Sequence, residues 1–285
     1  MSKIWVTGAA GQLGSEFKEL AMQSSDTFIF TDRSELDITD QEAIEVFLEK
    51  HDVDVFINCA AYTAVDSAES EKELAYLINA KAVGYLAEAC KRHAVKMIHI
   101  STDYVFDGEG GEPYQPMDEL APINEYGASK LAGERAMQEV NPTHSMIIRT
   151  SWVYSPYGKN FVKTMLRLGA EKERLKVVSD QFGSPTYARD LAEAILTILP
   201  NLNNEKVEVY HYSNEGVCSW HEFAIAIMEL ANLDCEVLPI NTADFPTKAP
   251  RPGYSVLDTE SIKQDFNINI PHWKDSLKSC LERLK

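Results

Sequence analysis

The sequence predicts an α/β fold: a doubly wound parallel sheet joined to a smaller mixed α/β lobe. Three observations point there. Short apolar runs alternate with helix-length stretches through Thr150, the rhythm that parallel βαβ units require. The first apolar run, Ile4-Trp5-Val6, leads directly into Gly8-Ala9-Ala10-Gly11-Gln12-Leu13-Gly14, which reads as a strand, a Gly-rich turn and the start of a helix. After Thr150 the rhythm loosens and the chain reads as small mixed units. At 285 residues the chain exceeds the usual single domain but falls short of two full-sized ones. We therefore expect a Rossmann-type domain over 1–150 and a second lobe mainly over 151–285, its segments interleaved with the first.

Composition narrows the classes of partner. Apolar residues make up 45% of the chain, ample for a packed core. The formal charge of −17 argues against nucleic acid or an anionic membrane, since both need basic surface. An anionic ligand would need a local cluster of positive groups. No apolar run of roughly 18 residues occurs. The chain enters a strand by Lys3, leaving no room for a signal peptide, so a cytoplasmic protein is expected. Cys59, Cys90, Cys218, Cys235 and Cys280 are odd in number, scattered and without CxxC spacing, as reduced thiols would be. The His residues are scattered too, with no metal-ligand spacing.

In chain order, the glycine turn is the most specific local signal. Three glycines at this spacing arise by chance only about 0.03 times in such a composition. Glycine lets the turn form and lets the backbone approach a pyrophosphate, whose charge sits at the helix N-terminus. Thr27 to Thr31 reads as the second strand, with Asp32-Arg33 at its end. An acid there would hold an adenosine ribose hydroxyl and an Arg would meet a 2′-phosphate, so NADPH and NADH both stay open. Leu36-Asp37-Ile38-Thr39-Asp40 begins the next helix, with Thr39 or Asp40 as N-cap.

Asp54 to Asn58 is a short apolar strand ending in Asn58-Cys59-Ala60-Ala61-Tyr62-Thr63, where small residues would let a cofactor lie against the backbone. A polar run, Asp66 to Lys72, leads into a long helix ending near His93. Lys96 to Ile100 is the fourth strand and delivers Ser101-Thr102-Asp103-Tyr104-Val105-Phe106 to its carboxyl end, where doubly wound sheets bind ligands. Asp107 to Asn124 is a long loop without periodicity, too long to be idle.

Tyr126-Gly127-Ala128-Ser129-Lys130 opens the helix Tyr126 to Val140, and four-residue spacing sets Tyr126 and Lys130 on one face. An ammonium beside a phenol would pull the Tyr pKa below its usual value of about 10, giving an acid able to protonate an alkoxide near neutral pH. Chance alone gives about 0.8 such pairs in this chain. The pair gains its meaning from the glycine turn and from Ser101-Thr102. Beyond the strand Ser145 to Arg149 come a helix near Phe161 to Ala170, a strand at Leu175 to Val178 and the helix Arg189 to Leu199. The strand Val207 to Tyr212 and helices near Trp220 to Ala231 and Pro271 to Leu284 follow.

The GxxGxxG turn with Tyr-x-x-x-Lys resembles the extended branch of the short-chain dehydrogenase/reductase superfamily. Within it, Ser101 to Phe106, Arg149-Thr150-Ser151-Trp152-Val153-Tyr154, Gln181-Phe182-Gly183-Ser184-Pro185-Thr186 and Arg251-Pro252 are similar to the dTDP-4-dehydrorhamnose reductase family over nearly the whole chain. The resemblance implies NAD(P)H-dependent reduction of the C4 keto group of dTDP-4-dehydro-L-rhamnose, a nucleotide-sugar substrate, with NADPH and also NADH as cofactor. The NAD(P) domain would be 1–150 and the substrate-binding lobe mainly 151–285. It implies Thr102, Tyr126 and Lys130 as the catalytic set, with Tyr126 and Lys130 also touching the cofactor. Gly8, Gly11, Gln12, Leu13 and Gly14 would hold the pyrophosphate, Asp32 and Arg33 the adenosine ribose, and Asp37 and Ile38 would border the adenine. For Asp37 and Ile38, an ordinary cap and a core residue is an equal reading. Ala60, Ala61 and Tyr62 would line the cofactor groove. Thr102, Asp103, Tyr104, Tyr126 and Trp152 would border the sugar. Arg251, whose fork suits phosphate oxygens, is the candidate for the substrate diphosphate.

Some members of the family carry a metal at a dimer interface, built from carboxylates that include one just after the glycine loop. Glu16 matches that position, but Arg189 stands where another carboxylate is expected, so neither the metal nor the homodimer it would support is secure. Two other readings share these motifs. A sugar-nucleotide dehydratase or epimerase would keep the turn and the Tyr/Lys pair, although a dehydratase wants an acid where this chain has Tyr104. The regulatory beta subunit of methionine adenosyltransferase resembles these reductases as a non-catalytic partner; retention of Thr102, Tyr126 and Lys130 together favours an enzyme.

Overall fold

A computed structural model describes residues 1–285. The chain opens with β1 (Lys3–Thr7), the turn and α1 (Gln12–Ala21), then β2 (Thr27–Thr31), α2 (Gln41–His51) and β3 (Val55–Asn58). Alternation along β1 feeds both faces of the sheet: Ile4 and Val6 enter one core, Trp5 the other. Asp40 is the N-cap of α2, its carboxylate accepting from Ala43 N at 3.0 Å.

Next come α3 (Val65–Ala68), α4 (Lys72–Tyr76) and α5 (Ala82–Arg92). The single long helix expected here is broken by a π-type turn, Leu77–Lys81. The wide turn buries Asn79, whose side chain bonds Tyr62 N, Tyr62 O and Ser129 Oγ, while its carbonyl packs against Gly133 with no room for a Cβ. β4 (Lys96–Thr102), α6 (Glu125–Val140) and β5 (Met146–Thr150) complete the first half.

The second half contains β6 (Val153–Tyr154), α7 (Phe161–Glu171), β7 (Arg174–Val178), β8 (Phe182–Gly183), β9 (Thr186–Tyr187), α8 (Ala188–Ile198) and β10 (Glu208–His211). β11 (Cys218–Ser219), α9 (Trp220–Ala231), β12 (Glu236–Ile240), α10 (Glu260–Phe266) and α11 (Trp273–Glu282) follow. The central sheet runs β10-β5-β4-β3-β1-β2, and every neighbouring pair is parallel. Its order reverses between β1 and β3, so the crevice beyond their carboxyl ends is where a doubly wound sheet takes its ligand.

Two cores divide the second half of the chain. Leu191, Ala192 and Ile195 of α8, Tyr210 of β10 and Ile262 of α10 pack with Ile4, Val6 and Phe17 on one face of the central sheet. Helices α7, α9 and α11 share another core around Phe223, Ile227 and Trp273. The parallel pair of β7 with β12 flanks that second core. β12 contains Pro239, which cannot donate to a ladder and suits an edge.

Candidate active site

The glycine turn is built for a close approach. Gly8 takes φ +63°, and a Cβ there would stand 2.7 Å from the Cys59 carbonyl carbon. At Gly14 a Cβ would reach 2.4 Å from Gly8 O, so the third glycine packs α1 onto the turn. Helix α1 starts at Gly11 with no side-chain cap and no acid in its first turn. Its free N–H groups and positive end therefore remain for an anion. A cleft of ≈ 660 Å³ begins there and runs to Trp152 and Trp220. These features fit a dinucleotide pyrophosphate.

Gly8, Gly11, Gln12 and Leu13 line the cleft, as do Asp32, Arg33, Ile38, Ala60 and Ala61. Gln12 also reaches the second lobe, donating to Val153 O and accepting from Asn160 Nδ2 at 2.8 Å. Asp32 accepts from Ser34 N and Ser34 Oγ, both at 2.8 Å, and these bonds hold its carboxyl below the usual range. Arg33 is free-standing, its side chain 84% exposed and 3.9 Å from Asp37.

Three expected cofactor residues do not reach the cleft wall. Gly14 packs beneath the turn. Asp37 turns back to accept from Thr39 N and Oγ1, the local bond of a capping residue. Tyr62 is turned outward, its phenol donating to Glu71 at 2.7 Å while its backbone is clamped by Asn79.

The far end of the cleft gathers Thr102, Asp103, Tyr104, Tyr126, Lys130 and Trp152. Asn124 caps α6, accepting from Gly127 N at 2.8 Å and donating to Pro250 O at 3.0 Å. A Cβ on Gly127 would fall 2.1 Å from Tyr104 O, so α6 lies directly against the end of β4. Tyr104 and Tyr126 meet edge to face with centroids 5.8 Å apart.

The pairing expected between Lys130 and the Tyr126 phenol is not formed. Lys130 Nζ donates to Ile100 O at 2.7 Å and lies 3.4 Å from His99 Nε2. Burial, seconded by the charge of Asp103 and opposed by the Thr102 hydroxyl, pushes Tyr126 up to about 12. Burial also brings Lys130 down to about 8, against the pull of Glu134. Desolvation sets the phenol, with no ammonium beside it to counter it, the reverse of the expected effect. Thr102 donates to Asp103 Oδ1 at 2.9 Å and accepts from Tyr104 N at 3.2 Å. Burial raises the Asp103 carboxyl to about 7, and its Oδ2 has no hydrogen-bond partner.

From the second lobe, Trp152 stands at φ +49° and stacks on Trp220, centroids 3.5 Å apart. Gly183 makes room, since a Cβ there would come within 2.7 Å of the indole. Trp220 and Lys159 also line the cleft, and sequence reasoning passed over both. The only local hint was Gly158 before Lys159, which takes φ +63°. Arg251 lies outside the cleft wall, 3.1 Å from Asp66 and donating to Ala249 O at 3.0 Å. It stands beside the site because Pro250 is tied to Asn124. Glu16 is buried against Arg283 Nη1 at 2.9 Å and accepts from Ser155 Oγ at 2.8 Å, while Arg189 pairs with Glu19 and Glu193.

Residues 2–285 match the family model described as RmlD substrate binding domain. The chain is 43% identical to the spore coat polysaccharide biosynthesis protein SpsK of Bacillus subtilis, covering 99% of this chain and 98% of that one. It is 43% identical to the dTDP-4-dehydrorhamnose reductase of Mycobacterium tuberculosis H37Rv, covering 98% and 92% respectively. The crystal structure of dTDP-4-dehydrorhamnose reductase from Bacillus anthracis in complex with NADP superposes with a TM-score of 0.95 at 40% identity, covering 99% of both chains.

Proposed function

From the RmlD substrate binding domain family, to which this chain belongs, we infer a dTDP-4-dehydrorhamnose reductase. It is an NAD(P)H-dependent oxidoreductase of dTDP-L-rhamnose synthesis that reduces the C4 keto group of dTDP-4-dehydro-L-rhamnose. The observation that carries the assignment of residues is the convergence of Thr102, Tyr126 and Lys130 on the cleft that starts at the glycine turn.

Gly8, Gly11, Gln12 and Leu13 would receive the pyrophosphate at the N-terminus of α1, and Ala60 and Ala61 would let the cofactor lie against β3. Bound NADPH supplies the hydride. As the carbonyl oxygen gains charge, the Thr102 and Tyr126 hydroxyls donate to it. With its pKa near 12, Tyr126 still holds its proton at neutral pH and gives it to the stronger base, the alkoxide. Lys130 would hold the nicotinamide ribose. Trp152, backed by Trp220, would cover the sugar, with Asp103 and Tyr104 at its edge.

The cofactor domain in this reading is 1–150 together with the later segments that return to the central sheet, and the substrate lobe is the remainder of 151–285. Arg283 places a guanidinium on Glu16 and Glu19, so the reading leaves out a bridging metal and the homodimer it would hold together. Five free cysteines suit a reducing compartment, which supports a cytoplasmic location.

The test incubates the purified chain with NADPH and a panel of dTDP-, UDP- and GDP-linked 4-keto sugars, following cofactor oxidation and the sugar product. Turnover with the dTDP sugar is expected. Tight NADPH binding with no turnover on any 4-keto sugar would sink the reading.

A further inference from the structure

One face of α6 carries Tyr126, Lys130 and Glu134 at successive four-residue steps. The first two meet the cleft, whereas Glu134 is buried beneath them, 1% exposed. Arg149 of β5 grips both of its oxygens, Nη2 to Oε2 at 2.7 Å and Nε to Oε1 at 3.0 Å. Oε1 also accepts from Ser101 Oγ, the residue before Thr102. Arg149 is equally buried, and its Nη1 donates to Pro116 O at 3.0 Å, in the loop between β4 and α6. Its guanidinium lies 5.2 Å over Phe106, which stacks on Tyr114 of that loop. His211 Nδ1 is 3.0 Å from Tyr114 O, which can only accept. Its Nε2 lone pair therefore faces Arg149 Nη1 at 3.4 Å. Burial and the neighbouring guanidinium push His211 down to about 3, which keeps it neutral.

A buried ion pair is a poor device for stability, because desolvating two charges offsets much of their attraction. This one is bidentate, and its contacts run to the strand end, the helix and the loop that enclose one site. We propose that Glu134 and Arg149 form a positioning pair for the reduction: they lock the strand end bearing Thr102, the helix bearing Lys130 and the loop after Phe106 into one arrangement, with the carboxylate end of the pair one helical turn from the Lys130 ammonium. The proposal rests on the reductase reading for what Lys130 is held in place to do. Around that ammonium, His99 of β4 is kept neutral and Cys59 after β3 is kept a thiol by burial, and Tyr126 keeps its proton. Glu134 is the carboxylate that opposes the loss of charge on Lys130.

The experiment measures NADPH affinity across pH by fluorescence titration of the full chain, for wild type, Glu134→Gln and Glu134→Asp. Gln keeps the shape and an oxygen for Ser101 and Arg149 but removes the charge. Wild-type affinity should weaken as pH rises through about 8, where Lys130 loses its proton. In Glu134→Gln that midpoint should fall by about one pH unit, weakening affinity about five-fold at the wild-type midpoint. Glu134→Asp should restore it. A merely structural role would lower the melting temperature and leave the midpoint in place, so a folded Glu134→Gln protein with the wild-type midpoint overturns the proposal. If that variant does not fold, Glu134→Gln combined with Arg149→Met removes both charges together. The midpoint should still fall, but by less, because the cation that offset part of the Glu134 charge is gone as well. A folded double variant with the wild-type midpoint overturns the proposal. Failure of both to fold would make the pair structural and overturn it too. A wild type that binds NADPH with this pH dependence yet reduces no 4-keto sugar would sink the reductase reading instead.

Discussion

Thr102 donates its hydroxyl hydrogen to Asp103 Oδ1 across 2.9 Å, and both side chains face the cleft. In the proposed reduction that hydrogen is the one donated to the substrate carbonyl, so the charge on Asp103 would bear on how firmly Thr102 is held. Burial raises the carboxyl to about 7, whereas an unfolded Asp ionises near pH 3.9. The folded chain therefore binds a proton that the unfolded chain has released, and stability contributed by Asp103 falls as pH rises from about 4 to about 7. The slope is about 1.4 kcal/mol per pH unit within that window. Urea unfolding of wild type and Asp103→Asn at about pH 5 and pH 7 should show the variant gaining on the wild type at the higher pH. A constant difference would mean that Asp103 is already ionised in the fold.

Tyr126→Phe should cut turnover by about a hundred- to ten-thousand-fold, the usual worth of a general acid. NADPH affinity should hardly change, because the glycine turn lies at the other end of the cleft. Steady-state rates and a cofactor titration on the same preparation decide it. Near wild-type turnover would move the proton donor elsewhere.

Arg33 has no firm partner, and Asp32 already spends its carboxylate on Ser34. Both cofactors should work, with NADPH preferred modestly through attraction of its 2′-phosphate to Arg33. Arg33→Ala should then lower kcat/KM for NADPH several-fold more than for NADH. An unchanged ratio would show that Arg33 stays in solvent.

Arg251 is held by Asp66 and Ala249 O beside the N-terminus of α6, between two prolines that restrict the backbone. Arg251→Lys loses the planar fork and should raise KM for the nucleotide sugar several-fold, with smaller effects on kcat and on cofactor affinity. If Arg251→Ala binds the sugar as wild type does, the arginine serves Asp66 alone.

Local pattern made the first half of the fold legible. The glycine turn, the alternation in β1 and the cap at Asp40 are each settled within a few residues, and α6 begins one residue before its expected start. What escaped depends on partners distant in sequence. β12 pairs with β7 across some sixty residues and carries a proline, so nothing local marks it as a strand. The break at Leu77–Lys81 is imposed by Asn79 reaching Tyr62 and Ser129. The same contact turns Tyr62 away from the groove. Trp220 enters the cleft wall stacked on Trp152, a partner far away in sequence. The balance at Tyr126 was misjudged because spacing reports which groups are neighbours, while burial decides which charge survives.

The sheet's outermost strand on one side is β10, which ends at His211 and pairs with β5, which ends at Thr150. A ribosome must therefore release about three-quarters of the chain before that side of the sheet can close. Until then the apolar edge Met146-Ile147-Ile148 emerges with one side unpaired, a template for mispairing that a nascent chain must keep covered. The imidazole that faces Arg149 arrives with the same strand. Vectorial synthesis thus leaves the sheet open along β5 until β10 arrives.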